Sequence, residues 1–194
     1  FALMAVLKFR VFYEEDDTVY RDVAILHEQS FFELHQCILS AFEFDSIHQA
    51  SFYRSNDNWQ RGRAISLEKY EGVEYKVDPL DMFETTIGSE IRDTGQKFVY
   101  VYDFAKNWTF LIQLIGVSKD VSSKLTYPNV TRKEGVGPSQ YGIKSILGDR
   151  FADVEEKYDL SSLGEGFSDE GEEGTEGDDD SGFTEEGSEE DNAI

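Results

Sequence analysis

The chain has 194 residues, 39% of them hydrophobic and 14% aromatic, and a formal net charge of −22. That is enough apolar material for one packed domain, which at roughly 150 residues buries about 68–70% of its unfolded surface without disulfides. A single cysteine, Cys37, excludes a disulfide framework and a multi-cysteine zinc site, and no run approaches the 18 apolar residues of a spanning helix.

The charge is uneven. Residues 164–194 hold 14 Asp or Glu and no Lys or Arg, which leaves 26 acidic and 18 basic residues for the other 163. The body is therefore only moderately acidic. Its sign still repels phosphate backbones at long range, so direct nucleic-acid binding is not expected. Phe1-Ala2-Leu3-Met4 lacks the charged start and apolar core of a signal peptide, so the expected compartment is the cytoplasm. On that basis the sequons at Asn107 and Asn129 read as chance matches.

Residues 5–13 alternate as a strand, the acidic turn Glu14-Glu15-Asp16-Asp17 follows, and Thr18 to Leu26 completes a hairpin. Ser30 with Glu33 forms a capping box, which starts a helix whose apolar stripe is Phe31, Leu34, Ile38, Ala41 and Phe42. Cys37 on that helix reads as a core filler, and His35 as solvent-facing or at the rim. Strands are expected at Gln49–Ser55 and Trp59–Ile65, joined by Asn56-Asp57-Asn58. Residues 66–96 read as a short helix or packed loop around Leu80, Met82, Phe83 and Ile87. Phe98, Tyr100, Tyr102 and Phe104 form one face of the next strand. Trp108–Val117 is nearly all apolar, which suits a central strand covered on both faces or a buried helix. Tyr127–Gly142 reads as a loop, Ser139–Leu147 as a short helix and Asp149–Leu163 as a last amphipathic piece. The expected fold class is α+β, a mixed and mostly antiparallel sheet with hairpins packed by a few helices. A domain spanning residues 4–160 precedes a tail, 161–194, which has too few apolar side chains to offset its ordering entropy and is expected to be disordered.

Three segments resemble the plasmid pRiA4b ORF-3-like family. The first runs from Leu34 to Phe52 and includes Ala41-Phe42-Glu43-Phe44 and His48. The second is Tyr100-Val101-Tyr102-Asp103-Phe104-Ala105-Lys106-Asn107-Trp108. The third is Tyr127-Pro128 with Glu134-Gly135 and Pro138. Only the middle motif is fairly specific. The chain departs from the family pattern at Ala50 and Phe110, where histidines are usual, and at Lys106, where Asp is usual. The resemblance implies an α+β fold and a history in plasmids and mobile elements. It implies no established activity.

His48 is the retained family histidine. As a general base it needs a partner, for which Asp45 and Asp103 are the candidates; as a structural group it anchors a strand entry. One His and two Asp are a conceivable metal set, but with Ala50 and Phe110 in place no metal or cofactor is expected. Asp103 either points into a pocket walled by Tyr102, Phe104 and Trp108 or caps a turn through residues 105–107. Tyr127 and Glu134 complete the binding-surface candidates. Arg54, Arg61 and Arg63, with Arg132-Lys133, make either a patch for an anion or ordinary solvated surface. Asp178-Asp179-Asp180 fails the calcium-loop pattern because Gly182 falls at position 5.

The expectation that follows is a non-enzymatic accessory or interaction module with an unidentified protein partner and no membrane association. One alternative is a degenerate or weak hydrolytic enzyme using His48 with Asp45 or Asp103. Another is an acidic tail that binds a basic protein.

Overall fold

The computed structural model describes residues 4–142. The last predicted piece at Asp149–Leu163, the boundary near residue 160 and the acidic tail lie outside the described residues. So does most of the predicted helix at Ser139–Leu147, whose described part, 139–142, ends in a turn.

Among the described residues, eight strands form one sheet: β1 (Val6–Tyr13), β2 (Asp16–Leu26), β3 (Ala50–Ser55), β4 (Arg61–Ser66), β5 (Leu80–Asp81), β6 (Lys97–Tyr102), β7 (Trp108–Ser118) and β8 (Asn129–Glu134). Their order is β5-β4-β3-β6-β7-β1-β2-β8. All neighbours are antiparallel except β4 and β5, which pair in parallel through Ile65 and Ser66. Among the described residues there is one α-helix, α1 (Phe31–Ala41), and one 3-10 turn at Gly88–Glu90. Among the described residues, the expected packing by a few helices is thus corrected to packing by one. Of residues 66–96, left open as helix or loop, Ser66 ends β4 and the rest are loop apart from β5 and that turn.

α1 begins as its capping box dictates. Ser30 Oγ accepts from the Glu33 amide at 3.3 Å, and the Glu33 carboxylate accepts from the Ser30 amide at 2.8 Å. Its apolar stripe lies on the sheet: Phe31 meets Phe52 and Phe98 edge-on, at 5.2 and 5.3 Å between ring centroids. His35 is corrected from rim to core. It is 2% exposed, and its Nδ1 lies 2.7 Å from the hydroxyl of Tyr100, itself fully buried.

Two strand assignments also change. Trp108–Val117 is a strand, β7, between β6 and β1, but Ile115 and Val117 are exposed, so only one of its faces is fully covered. Residues 129–134 form strand β8 instead of loop. They pair with the otherwise free side of β2 through Tyr20–Glu134 and Arg21–Lys133. As an outer strand with four exposed residues, β8 has no apolar alternation to betray it. Arg21, 2% exposed, ties this edge together: Nη1 donates to the Tyr20 and Glu134 carbonyls at 2.8 Å, and Nε to the Ala41 carbonyl at 3.3 Å.

Candidate functional site

The site starts where α1 stops. The Phe44 amide bonds to the Leu39 carbonyl at 2.8 Å and the Glu43 amide to the Ser40 carbonyl at 3.2 Å. That is a Schellman closure with Glu43, at φ 60°, in the left-handed position usually held by glycine. The turn carries the chain to Phe44, which buries against Trp108 and Phe110, and presents Asp45.

The Asp45 carboxylate is heavily solvated by protein. It accepts from the hydroxyls of Tyr102 and Tyr141, and from Gln140 Nε2 at 3.0 Å. Burial works to raise its pKa, but the bonds from Tyr102, Tyr141, Gln140 and the Ile47 amide outweigh it and hold the carboxyl at about 2. The Tyr102 phenol is raised in turn, by burial and by the Asp45 carboxylate. The same hydroxyl accepts from the amides of Ile47 at 3.1 Å and His48 at 3.2 Å, so Tyr102 organises the whole 45–48 segment.

His48, Asp45 and Asp103 do come together. His48 Nε2 lies 3.9 Å from Asp45 Oδ1, 3.8 Å from Asp103 Oδ2 and 3.1 Å from the Tyr141 hydroxyl. The first two separations are too long for hydrogen bonds but close enough for charge coupling. Asp103, 7% exposed, sits at φ 55° just past β6, with its amide bonded to the Gln49 carbonyl at 2.8 Å. Its carbonyl accepts from the Lys106 and Asn107 amides, while Oδ1 accepts from the Lys106 amide at a long 3.4 Å. Asp103 is therefore both a turn residue and a neighbour of His48. Among the described residues, no group of three or more His, Cys, Asp or Glu is arranged to hold a metal ion.

The rings expected to share a wall with Asp103 go separate ways. Tyr102 is buried under Asp45. Phe104 leaves the β6 face within the turn and packs edge-on against Tyr70 at 5.2 Å. Trp108 packs against Phe44 at 5.1 Å and Tyr13 at 6.3 Å, and its Nε1 is buried with no hydrogen-bond partner among the described residues. Tyr13 and Trp108 line a cleft of about 370 Å³ with Glu14, Glu15, Lys106, Asn107 and Thr109. Tyr127 and Glu134 belong to the other end of the sheet: the Tyr127 carbonyl accepts from Gln29, and Glu134 pairs with Arg132 at 2.9 Å on β8.

Gln140 and Tyr141 are the site residues that sequence reasoning missed. They follow β8 and reach back 95 and 96 positions to Asp45. The only sequence signal was an aromatic-amide pair after Pro138, inside a segment that reads as loop.

A family model described as plasmid pRiA4b ORF-3-like protein matches residues 6–141. Among solved structures, the crystal structure of MM3350, a protein of unknown function from Methanosarcina mazei Go1, is similar with a TM-score of 0.61. The match covers 89% of this chain and 93% of that one, at 13% identity, and so speaks for the fold alone. No curated protein matches the chain significantly. The family match runs from the first residue of β1 through Tyr141, the residue that closes on Asp45, and the chain belongs to the plasmid pRiA4b ORF-3-like family.

Proposed function

We propose that the chain is a non-enzymatic interaction module that takes a cationic peptide segment of a protein partner into the Tyr13–Trp108 cleft. The observation that carries this reading is the cleft itself. The Glu14-Glu15 turn is fastened to the start of β7 by the Glu14 amide on the Thr109 carbonyl at 3.1 Å, and with the 103–107 turn it frames the side chains of Tyr13 and Trp108. Glu14 and Glu15, next to Asp16 and Asp17, set a negative rim that favours Lys or Arg on the partner, and the rings supply apolar area at small entropic cost. The plasmid origin of the family description fits an accessory role in a mobile element.

Selection of displayed peptides on the folded chain tests it. Enriched peptides carry basic residues beside an aromatic one, and lose binding at least about tenfold to the surface variant Glu14→Lys/Glu15→Lys. Peptides that bind this variant undiminished, or no enrichment at all, count against the cleft.

The convergence of His48 with Asp45 and Asp103 favours a second reading, a weak hydrolase with His48 as general base. Asp45 itself is unsuited to proton transfer near neutrality, because its carboxyl is held at about 2 and its lone pairs are filled by three side chains. Asp103 lies 3.8 Å from His48 Nε2, within reach of its charge but not of a hydrogen bond. Hydrolysis of an activated ester that vanishes in His48→Gln and survives in Glu14→Lys/Glu15→Lys would support the enzyme over the module.

A further inference from the structure

We propose a second, separate site: the concavity over the start of β4 binds a small anion carrying a planar ring, of the nucleoside phosphate class. The cleft holds about 450 Å³, within the range of about 300–1,000 Å³ of small-molecule sites. Its chemistry comes from Tyr53, Arg61, Arg63, Tyr75 and Lys76, opposed by one acid, Glu74. It shares no residue with the Tyr13–Trp108 cleft.

The three basic side chains arrive there for definable reasons. Arg61 and Arg63 flank Gly62 at the start of β4, where a bulge shifts the pairing with β3, and both line the hollow. Arg54, which looks in sequence like part of the same cluster, is spent elsewhere, in an ion pair with the buried Glu90. Lys76 comes from the loop that leads to β5. None of Arg61, Arg63 and Lys76 forms an ion pair with a carboxylate among the described residues. In a body with more acids than bases, three cations that converge on one hollow without a carboxylate ion pair among the described residues make an arrangement that an anion would complete.

The cations are also oriented. The Arg61 guanidinium lies 5.3 Å over the Tyr53 ring. Arg63 donates through both Nε and Nη2 to the Asp78 carbonyl, at 3.1 and 3.0 Å, which fixes the loop and leaves Nη1 for a ligand. Between them, Gly62 approaches the neighbouring strand so closely that a Cβ there would lie 2.9 Å from the Arg54 carbonyl oxygen, and this part of the wall stays bare backbone. Guanidinium forks match phosphate oxygens, and the half-buried Tyr53 and Tyr75 offer faces on which a base can stack. Bare phosphate would use the cations but not the tyrosines. An acidic polypeptide would not need a hollow of this size.

Calorimetric titration of the full chain with ATP, tripolyphosphate and adenosine tests the proposal. ATP is expected to bind about tenfold or more tightly than either tripolyphosphate or adenosine. Arg61→Ala and Lys76→Ala each weaken ATP binding several-fold, Arg61→Lys recovers part of the loss, and Tyr53→Leu brings ATP down to the level of tripolyphosphate. Circular dichroism and thermal melts of each variant confirm that the fold is intact. No heat with millimolar ATP, equal binding of tripolyphosphate and ATP, or ATP binding unchanged in a folded Arg61→Ala/Lys76→Ala chain would each overturn the proposal.

Discussion

The Tyr141 hydroxyl donates to Asp45 across 96 residues of sequence and at the same time lies 3.1 Å from His48 Nε2. One exposed phenol thus closes a strap, residues 138–142, over the three groups that a hydrolytic reading would need. Removing it separates the structural from the chemical role. In Tyr141→Phe the Asp45 carboxyl loses one of its donors and its pKa rises from about 2 toward the ordinary 3.8, while amide exchange of residues 45–48 speeds up. Carboxyl-detected NMR titration measures the first effect and hydrogen exchange the second. An unchanged Asp45 titration would mean the strap does not hold in solution.

Tyr102 is the more costly residue to alter. Its buried hydroxyl donates to Asp45 and accepts from two amides. Tyr102→Phe leaves these groups without that partner, at a cost of about 2 kcal/mol. Urea unfolding of the two proteins gives the difference directly.

Asp45 also sets an acid limit. Its folded pKa lies below the unfolded value of 3.8, so its contribution to stability is complete above that value and is lost as pH falls toward about 2. Asp45→Asn should flatten the pH dependence of the melting temperature in that window and nowhere else.

His35 acts at higher pH. Burial holds its imidazole at about 4, against 6.5 when unfolded. The unfolded chain therefore takes up a proton first, and stability falls between about pH 6.5 and about 4, by about 3 kcal/mol over the full window. His35→Gln keeps a polar group for Tyr100 and removes the titration. Its stability should be nearly level across that range when followed by denaturant melts at fixed pH.

Glu43→Gly should stabilise the chain. The left-handed position after α1 strains a residue with a Cβ and suits glycine, and relief is worth about 0.5–1 kcal/mol after the entropy that glycine adds to the unfolded state. A thermal melt shifted downward would show that the Glu43 side chain contributes something the backbone geometry does not reveal.

The elements that write themselves into local sequence were legible. The β1–β2 hairpin follows from alternation around an acidic turn, and the start of α1 from Ser30 and Glu33. The aromatic face of β6 shows in Phe98, Tyr100 and Tyr102, all fully buried. What stayed hidden depends on partners distant in sequence. β8 is a strand only because β2 has a free side for it. His35 is buried only because Tyr100 waits 65 residues away to receive it. At the site, His48, Asp45 and Asp103 could be named from the family motif and are adjacent. Gln140 and Tyr141, which fill Asp45, gave only an aromatic-amide pair inside a segment that reads as loop, and the end of α1 was masked by a glutamate standing where glycine is usual.

The place of β1 in the sheet has a temporal consequence. Phe9 on this first strand lies between Val23, a neighbour in a hairpin, and Leu114 on β7. A ribosome therefore releases one side of β1 long before its other partner exists. During that interval the hairpin exposes an unpaired strand edge next to Phe9 and Val11, and nascent chains stalled before residue 108 should be the species most prone to sticking to one another.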